Sequence, residues 1–200
     1  MKRFVLAAAV TLAAAVALPA AATSVGQPAP DFSAPDLQGK AVRLSDFKGK
    51  YVVLEWVNPE CPYVRRHYNT GNVPSLQKEV AAKGVVWLAV NSSNPSSGEF
   101  KTPDEMAKWL GEKGGVPTAT LIDKDGKVGR LYGARTTPHM YIIDPQGRLI
   151  YAGAIDDQRW ASAEETKNAR NYVRAALGEA LTGKPVSVAA TTPYGCSVKY

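Results

Sequence analysis

The stretch "YVVLEWVNPECPYVRRH", residues 51–67, leads from a strand into a helix through a single cysteine. Residues 51–58 form a nearly continuous apolar run, which is typical of a strand covered on both faces. Proline favours the first turn of a helix, so Pro62 predicts that Cys61 lies at a helix N-cap after this strand. The N–H groups and positive dipole end of such a helix favour a thiolate, and Arg65, one turn further on, would add to this effect. The alternative is that Cys61 is an inert buried side chain.

The rest of the chain alternates between buried strands and amphipathic helices. Further strands are predicted at 85–93, 118–123, 140–144 and 148–155, and helices at 61–83, 102–110 and 163–181. Gly71 to Pro74 is expected to break the first of these helices. Helices that alternate with buried strands imply parallel pairing. We therefore predict an α/β fold with a mixed central sheet, flanked by helices and closed by an antiparallel hairpin.

Residues 1–22 have the layout of a secretory signal peptide, with a basic start, an apolar run and small residues at the end. An uncleaved membrane anchor is the alternative, but the run is mostly alanine and ends in a cleavage pattern. We therefore predict a periplasmic or secreted protein with one domain over 23–181 and a C-terminal tail over 182–200. The tail is polar and contains proline and glycine, so it is expected to be loose.

The charge and hydropathy patterns argue against nucleic acid and membrane as partners. The 24 Lys and Arg and the 18 Asp and Glu give a net charge of +6, and the basic start leaves with the signal peptide. The remaining excess is spread out, with no basic run interleaved with aromatic residues, so nucleic-acid binding is not expected. After the first 22 residues, no stretch approaches the roughly 18 apolar residues that span a bilayer, so no membrane contact is expected. No cofactor is predicted.

The chain after residue 22 contains two cysteines, Cys61 and Cys196. Disulfides persist in an exported protein, and an even count permits one bridge. As a structural staple, a loop of this length would stabilise the fold by roughly 4–5 kcal/mol in the chain-entropy model. The other interpretation is a redox pair, and the two remain open on cysteine count alone.

Glu55 lies six residues before Cys61, inside an otherwise apolar strand. A buried carboxylate is costly unless it is paired or protonated, so Glu55 beneath a thiol would have a raised pKa and could exchange protons with the sulfur. The alternative is that Glu55 points to an exposed edge, because the alternation along so apolar a strand does not identify its face.

Thr137 and Pro138 open the strand "TTPHMYIID". A proline there cannot donate to the sheet, and a cis bond suits a tight connection, although an ordinary trans loop is the alternative. His67 and His139 are the two histidines of the chain. Either could act as a base or, with Cys61, as a metal ligand, but lone histidines are more often polar surface residues.

Together, "CPYV", "TTPHMYIID" and "GCSVKY" resemble the thioredoxin fold, within the alkyl hydroperoxide reductase/thiol-specific antioxidant (redoxin) family and its peroxiredoxin-like branch. The likeness covers nearly the whole chain after residue 22. It implies that Cys61 matches the exposed nucleophile of a Cys-x-x-Cys motif, in which Val64 replaces the second cysteine. It also implies that Glu55 is the buried acid, that Pro138 is a cis-proline facing the thiol, and that the Thr137 backbone pairs with a bound substrate.

The chain departs from the peroxiredoxin pattern at the positions that hold peroxide. The peroxide-reactive cysteine of peroxiredoxins corresponds to Val64 of this chain. The run Pro-x-x-x-Thr-x-x-Cys, which is typical of peroxiredoxins, is absent from this chain. At those spacings this chain has Leu54, Asn58 and Cys61. The hydroxyl expected to help hold the peroxide is therefore missing, and efficient peroxidase activity is not expected.

These observations predict a periplasmic thiol oxidoreductase that acts on a disulfide or peroxide substrate and is restored by an external thiol reductant. Cys61 would attack an oxidised sulfur and Cys196 would resolve the product. Residues Pro62, Arg65, Thr137 and Pro138 would form the substrate groove. Three alternatives stay open: a weak peroxidase, a copper-binding module that uses Cys61 with His67 or His139, and a non-catalytic domain stapled by the two cysteines.

Overall fold

The computed structural model describes residues 23–200, and the predicted signal peptide lies outside the described residues. The strands are β1 (Ser33–Pro35), β2 (Ala41–Arg43), β3 (Val52–Trp56), β4 (Val86–Asn91), β5 (Ala119–Ile122), β6 (Thr136–Thr137), β7 (His139–Ile143), β8 (Leu149–Gly153) and β9 (Cys196–Ser197). The helices are α1 (Pro62–Asn69), α2 (Asn72–Ala81), α3 (Pro103–Lys113), α4 (Lys127–Tyr132), α5 (Ala163–Asn168) and α6 (Tyr172–Ala180), with a 3-10 turn at Leu44–Phe47.

Five strands form the central mixed sheet in the order β5-β4-β3-β7-β8. The pairs β3–β4 and β4–β5 are parallel, whereas β7 runs antiparallel to both β3 and β8. The mixed sheet, its flanking helices and the closing hairpin of β7 and β8 agree with the fold predicted from the sequence. Because β3 lies at the centre, the loop that follows it emerges in the middle of one sheet edge.

Strand β3 is buried on both faces, as its continuous apolar run predicts. Val53 belongs to the core cluster that contains Val64 of α1, while Leu54 belongs to the cluster on the other face with Tyr132 of α4. All four side chains are at most 2 % exposed. A strand held from both sides fixes the position of the residues that leave its end.

The helix predicted over 163–181 is two helices. The chain is extended at Ala169, and Asn171 then caps α6 by accepting a hydrogen bond from Arg174 N (2.8 Å). Tyr172 N donates to Ile155 O (2.9 Å), which ties the interruption to the chain that leaves β8. A side-chain cap and a tertiary hydrogen bond therefore outweigh a continuous helical pattern.

The C-terminal tail is bound along the domain, so the prediction of a loose tail is wrong. Thr191 N donates to Ala152 O and Ala152 N donates to Ala189 O (both 3.1 Å), which attaches the tail to β8. Further on, β9 pairs antiparallel with β6, with Cys196 opposite Thr137. The amino-acid composition does not reveal these hydrogen bonds, because they use mainly backbone groups and join residues that are distant in sequence. Composition alone therefore predicted a mobile tail.

Replacing Gly153 with alanine is expected to weaken the attachment of the tail. Gly153 has a φ of +153°, and a Cβ there would overlap the backbone and hydroxyl of Thr191. Overpacking of this kind costs about 1–3 kcal/mol, so the free energy of unfolding measured in urea should fall by that amount. Gly178→Ala in α6 is the control, since a Cβ there has no neighbour within 4 Å. Equal stability of the two variants would contradict the close contact.

Candidate active site

Cys61 is the N-cap of α1, at the end of the loop that leaves β3, as the sequence predicts. Its backbone is extended (φ −72°, ψ 121°), Pro62 occupies the first turn, and Arg65 N donates to Cys61 O (2.9 Å). The Cys61 side chain is 0 % exposed. The structure therefore places the thiol at a helix N-terminus, but it covers the sulfur that the family resemblance implied would be exposed.

The loop between β6 and β7 lies directly against this thiol. The Thr137–Pro138 peptide bond is cis, as predicted. Cys61 Sγ donates a hydrogen bond to the Thr137 carbonyl oxygen (2.9 Å). Among the described residues, the buried Thr137 hydroxyl finds no hydrogen-bond partner. The Thr137 backbone carbonyl thus faces the sulfur, while the buried Thr137 hydroxyl makes no hydrogen bond within the described residues.

Cys196 completes a pair of thiols at this point. Its Cα lies opposite Thr137 in the β6–β9 ladder, and its side chain packs against the core cluster that contains Cys61. Both residues are free thiols. Partial burial, followed by the proximity of the Cys61 sulfur, raises the pKa of Cys196. Cys196 therefore holds its proton at neutral pH.

Glu55 is buried inside the domain, so the alternative of an exposed edge is wrong. Its Oε2 accepts hydrogen bonds from Trp87 Nε1 (2.8 Å), Tyr68 OH (3.1 Å) and Gln77 Nε2 (3.5 Å). Burial raises the pKa of Glu55 to about 7, and these three hydrogen bonds oppose the rise. None of the hydrogen bonds found for residues 23–200 joins Glu55 to a sulfur.

Pro62 and Arg65 lie at the rim of the site. Both side chains are exposed, and Arg65 lines a cleft of about 360 Å³ together with Glu60 and Lys101. The pKa of Glu60 is lowered mainly by its hydrogen bond with Lys101, and Arg65 makes a smaller contribution. The positive charge of Arg65 therefore acts on the Glu60 carboxylate. The sequence had suggested that it would act on Cys61.

A polar socket that sequence reasoning missed binds the tail next to the thiols. We call Arg66, His67 and Asp156 the Tyr194 socket. The Tyr194 phenol contacts Arg66 Nη2 and His67 Nε2 (3.1 Å each) and donates a short hydrogen bond to Asp156 Oδ1. Asn72 Nδ2 donates to His67 Nδ1 (2.9 Å), so the imidazole carries its proton on Nε2 and donates to the phenol.

The charges of the socket are set by burial. Burial and then the charge of Arg66 lower the pKa of His67 to about 3, so the ring is neutral at physiological pH. Burial raises the pKa of Asp156, and the hydrogen bond from Tyr194 opposes this effect. The one sequence signal for this socket was the position of Tyr194, two residues before Cys196. Its partners come from separate elements, and spacing along the chain does not connect them.

His139 is also a buried, neutral side chain. Its Nδ1 is within hydrogen-bond distance of Arg135 N (3.3 Å) and Tyr141 OH (3.2 Å), and burial lowers its pKa to about 3. Within residues 23–200, no group of three or more His, Cys, Asp and Glu side chains is arranged to bind a metal ion.

Residues 25–152 match the model of a protein family described as the AhpC/TSA family. The chain belongs to this family. It is 33% identical over 135 residues to the thiol-disulfide oxidoreductase ResA of Geobacillus thermodenitrificans, a match that covers 64% of this chain and 68% of that protein. It is 30% identical over 140 residues to the thiol:disulfide interchange protein DsbE of Pseudomonas aeruginosa, covering 68% and 71% of the two chains.

Solved structures agree with the fold. The crystal structure of an uncharacterized conserved protein from Geobacillus kaustophilus superimposes with a TM-score of 0.77 at 29% identity, and the match covers 92% of this chain and 98% of that chain. The predicted AhpC/TSA family and thioredoxin-like fold are thus confirmed. Over residues 23–200, no helix combines the length and the apolar character needed to cross a bilayer.

Glu55→Gln is expected to change how stability depends on pH. The pKa of Glu55 is raised from 4.5 to about 7 in the folded protein. The folded carboxyl therefore contributes stability below pH 4.5, which is lost as the pH rises through about 7. Urea unfolding between pH 4 and pH 8 should show that the free energy of unfolding falls by roughly 3 kcal/mol more in the parent than in Glu55→Gln. Parallel profiles for the two proteins would contradict this, and the exposed Glu112→Gln change in α3 is the control.

Proposed function

We propose that this protein is a periplasmic thiol-disulfide oxidoreductase in which Cys61 is the nucleophile and Cys196 the resolving cysteine. Its family and its relatives make it a thiol-dependent oxidoreductase. The observation that carries the assignment of roles is the meeting of the two thiols at Thr137, which accepts a hydrogen bond from Cys61 and pairs with Cys196 in the β6–β9 ladder. Cys61 lies at the N-terminus of α1, a position typical of nucleophilic cysteines, whereas the pKa of Cys196 is raised.

The reaction transfers two electrons from the cysteine pair to a substrate disulfide. The Cys61 thiolate attacks one substrate sulfur, a mixed disulfide forms, and the other substrate sulfur leaves as a thiolate. The Cys196 thiolate then attacks Cys61 Sγ, forms the Cys61–Cys196 disulfide and releases the second substrate thiolate. The two protons lost by the cysteines neutralise the two substrate thiolates. An external dithiol reductant reverses the change in the protein and is itself oxidised to a disulfide.

Cys196 must lose its proton before it can attack. With its pKa raised to about 7, Glu55 is suited to accept and return protons near neutral pH. The Tyr68 hydroxyl connects to Glu55 and lies in the same core cluster as Cys61. We assign proton management to Glu55 and the shaping of the groove to Thr137, Pro138, Pro62 and Arg65.

The contacts around Cys61 favour disulfide exchange over peroxide reduction. Asn58, at the spacing where peroxiredoxins have their threonine, donates its side-chain amide to Glu99 Oε2 (2.8 Å). Leu54 packs in the core cluster on the opposite face of the sheet. Neither side chain offers a hydroxyl for a peroxide beside the sulfur, so any peroxidase activity should be weak.

The N-terminal sequence supports a periplasmic site of action. Residues 1–22 have the composition of a cleavable export signal. In an oxidising compartment, a cysteine pair that reduces other disulfides must be recharged continually by a reductant. We therefore assign two partners to the protein, a disulfide-containing substrate and an external thiol reductant.

Reaction of the reduced protein with oxidised glutathione tests the two cysteine roles. The parent should form an intramolecular Cys61–Cys196 disulfide, because Cys196 resolves the first product. Cys196→Ser should instead retain one glutathione on Cys61, and Cys61→Ser should react at least about tenfold more slowly, since it lacks the thiolate at the helix end. Mass spectrometry of alkylated peptides identifies each product.

The double variant Cys61→Ser/Cys196→Ser controls for reactions at other residues. Undiminished reaction of Cys61→Ser would show that Cys196 is the nucleophile and would refute the assignment. A Cys61–Cys196 bridge that forms but resists excess dithiothreitol would favour the stapled, non-catalytic domain. Fast consumption of hydrogen peroxide by the parent would favour a peroxidase.

A further inference from the structure

The groove beside Thr137 is occupied by the protein's own tail. In the structure, the pairing partner of β6 is β9, and Cys61 is completely covered where the two strands meet. A substrate sulfur that reaches Cys61 must therefore take the place that Cys196 holds. If the proposed function is correct, residues 194–197 show how a substrate segment would lie in this groove.

Gly195 makes the closest approach of the tail to the groove. It has a φ of +140°, and a Cβ at this position would overlap the carbonyl group of Thr137. That carbonyl also accepts the hydrogen bond from Cys61, so it cannot withdraw without moving the site. In this register, the residue directly before the cysteine must be glycine.

Tyr194 supplies a second point of recognition, two residues before the cysteine. It is 6% exposed, and its ring packs against Tyr63 with centroids 5.7 Å apart. In the Tyr194 socket, the phenol oxygen accepts hydrogen bonds from Arg66 and His67 and donates one to Asp156. Phenylalanine would fill the volume but would leave the partly buried Arg66 and the buried His67 and Asp156 without this partner.

We propose that the groove binds an extended polypeptide segment of the form Tyr-Gly-Cys, and that the tail is a built-in, displaceable occupant of the same form. The incoming segment displaces β9 and pairs with Thr137, which places its cysteine sulfur, half of a disulfide, against Cys61. Cys61 attacks that sulfur and the other half of the disulfide leaves as a thiolate. When β9 returns, the Cys196 thiolate attacks Cys61 Sγ, and the bound segment leaves as a thiolate that takes up a proton.

The reaction rates of a set of activated peptides test this recognition. The Cys196→Ser protein is used because it traps the mixed disulfide. The probe is the heptapeptide Thr-Pro-Tyr-Gly-Cys-Ser-Val, with its cysteine activated as a mixed disulfide with 2-nitro-5-thiobenzoate. Attack by Cys61 on the peptide sulfur releases the coloured thiolate. Replacing glycine by alanine in the peptide should slow the reaction at least about tenfold, and replacing tyrosine by phenylalanine about three- to tenfold.

Glutathione activated with the same group separates this proposal from the proposed function. If activated glutathione reacts with Cys61 but the three peptides react at equal rates, recognition of Tyr-Gly-Cys is refuted and the role of Cys61 stands. If neither glutathione nor any peptide reacts with Cys61 in the folded protein, the proposed function itself fails.

A variant of the tail tests whether β9 is the occupant that must leave. Tyr194→Phe in the Cys196→Ser protein should speed the reaction with activated glutathione several-fold, because it weakens the socket's hold on the tail. Tyr51→Phe is the matched control, since that phenol donates to Ala180 O (3.0 Å) at another part of the domain. An unchanged rate in Tyr194→Phe would refute the displacement of the tail.

Discussion

The hydrogen bond from Cys61 Sγ to the Thr137 carbonyl oxygen is the contact on which the site depends. It joins the end of β3 to the cis-proline loop, and the same Thr137 residue pairs with Cys196 across the β6–β9 ladder. Three segments that are far apart in sequence therefore meet at one backbone carbonyl. The cysteine pair requires no Cys-x-x-Cys motif, because the fold brings the second sulfur from the C-terminal tail.

Two polar clusters with buried members belong to this part of the domain, and burial shifts the pKa values in both. In the first, the Glu55 carboxyl accepts hydrogen bonds from Trp87, Tyr68 and Gln77, and its pKa is raised to about 7. In the second, Tyr194 is held by the Tyr194 socket and fixes the tail. Buried polar groups of this kind are costly unless they are satisfied, so each cluster favours one arrangement of the elements around the thiols.

Much of this architecture could be predicted from local sequence. The apolar run before Cys61, the proline after it and the Thr137–Pro138 dipeptide identified the strand, the helix N-cap and the cis-proline loop. Such features depend on residues that are neighbours in the chain. The face of Glu55 was ambiguous because β3 is buried on both sides, and alternation carries no information in such a strand.

The position of the tail could not be predicted for a different reason. Its composition is that of a loop, and its order depends on close contacts at Gly153 and Gly195 and on the Tyr194 socket. None of these contacts produces a periodic pattern. The interruption of the predicted last helix at Ala169 could not be predicted for the same reason. It is stabilised by the Asn171 cap and by a hydrogen bond from Tyr172 to Ile155, and neither contact changes the helical pattern of the sequence.

The central claim is that the folded protein holds Cys196 ready to react with Cys61. The most direct measurement is the equilibrium between the Cys61–Cys196 disulfide and a glutathione redox buffer, in the native protein and in urea. The account predicts that the effective concentration of Cys196 toward Cys61 is at least about 100-fold higher in the native protein than in the unfolded chain. An equal or lower value in the native protein would show that folding keeps the two sulfurs apart, and would contradict the account.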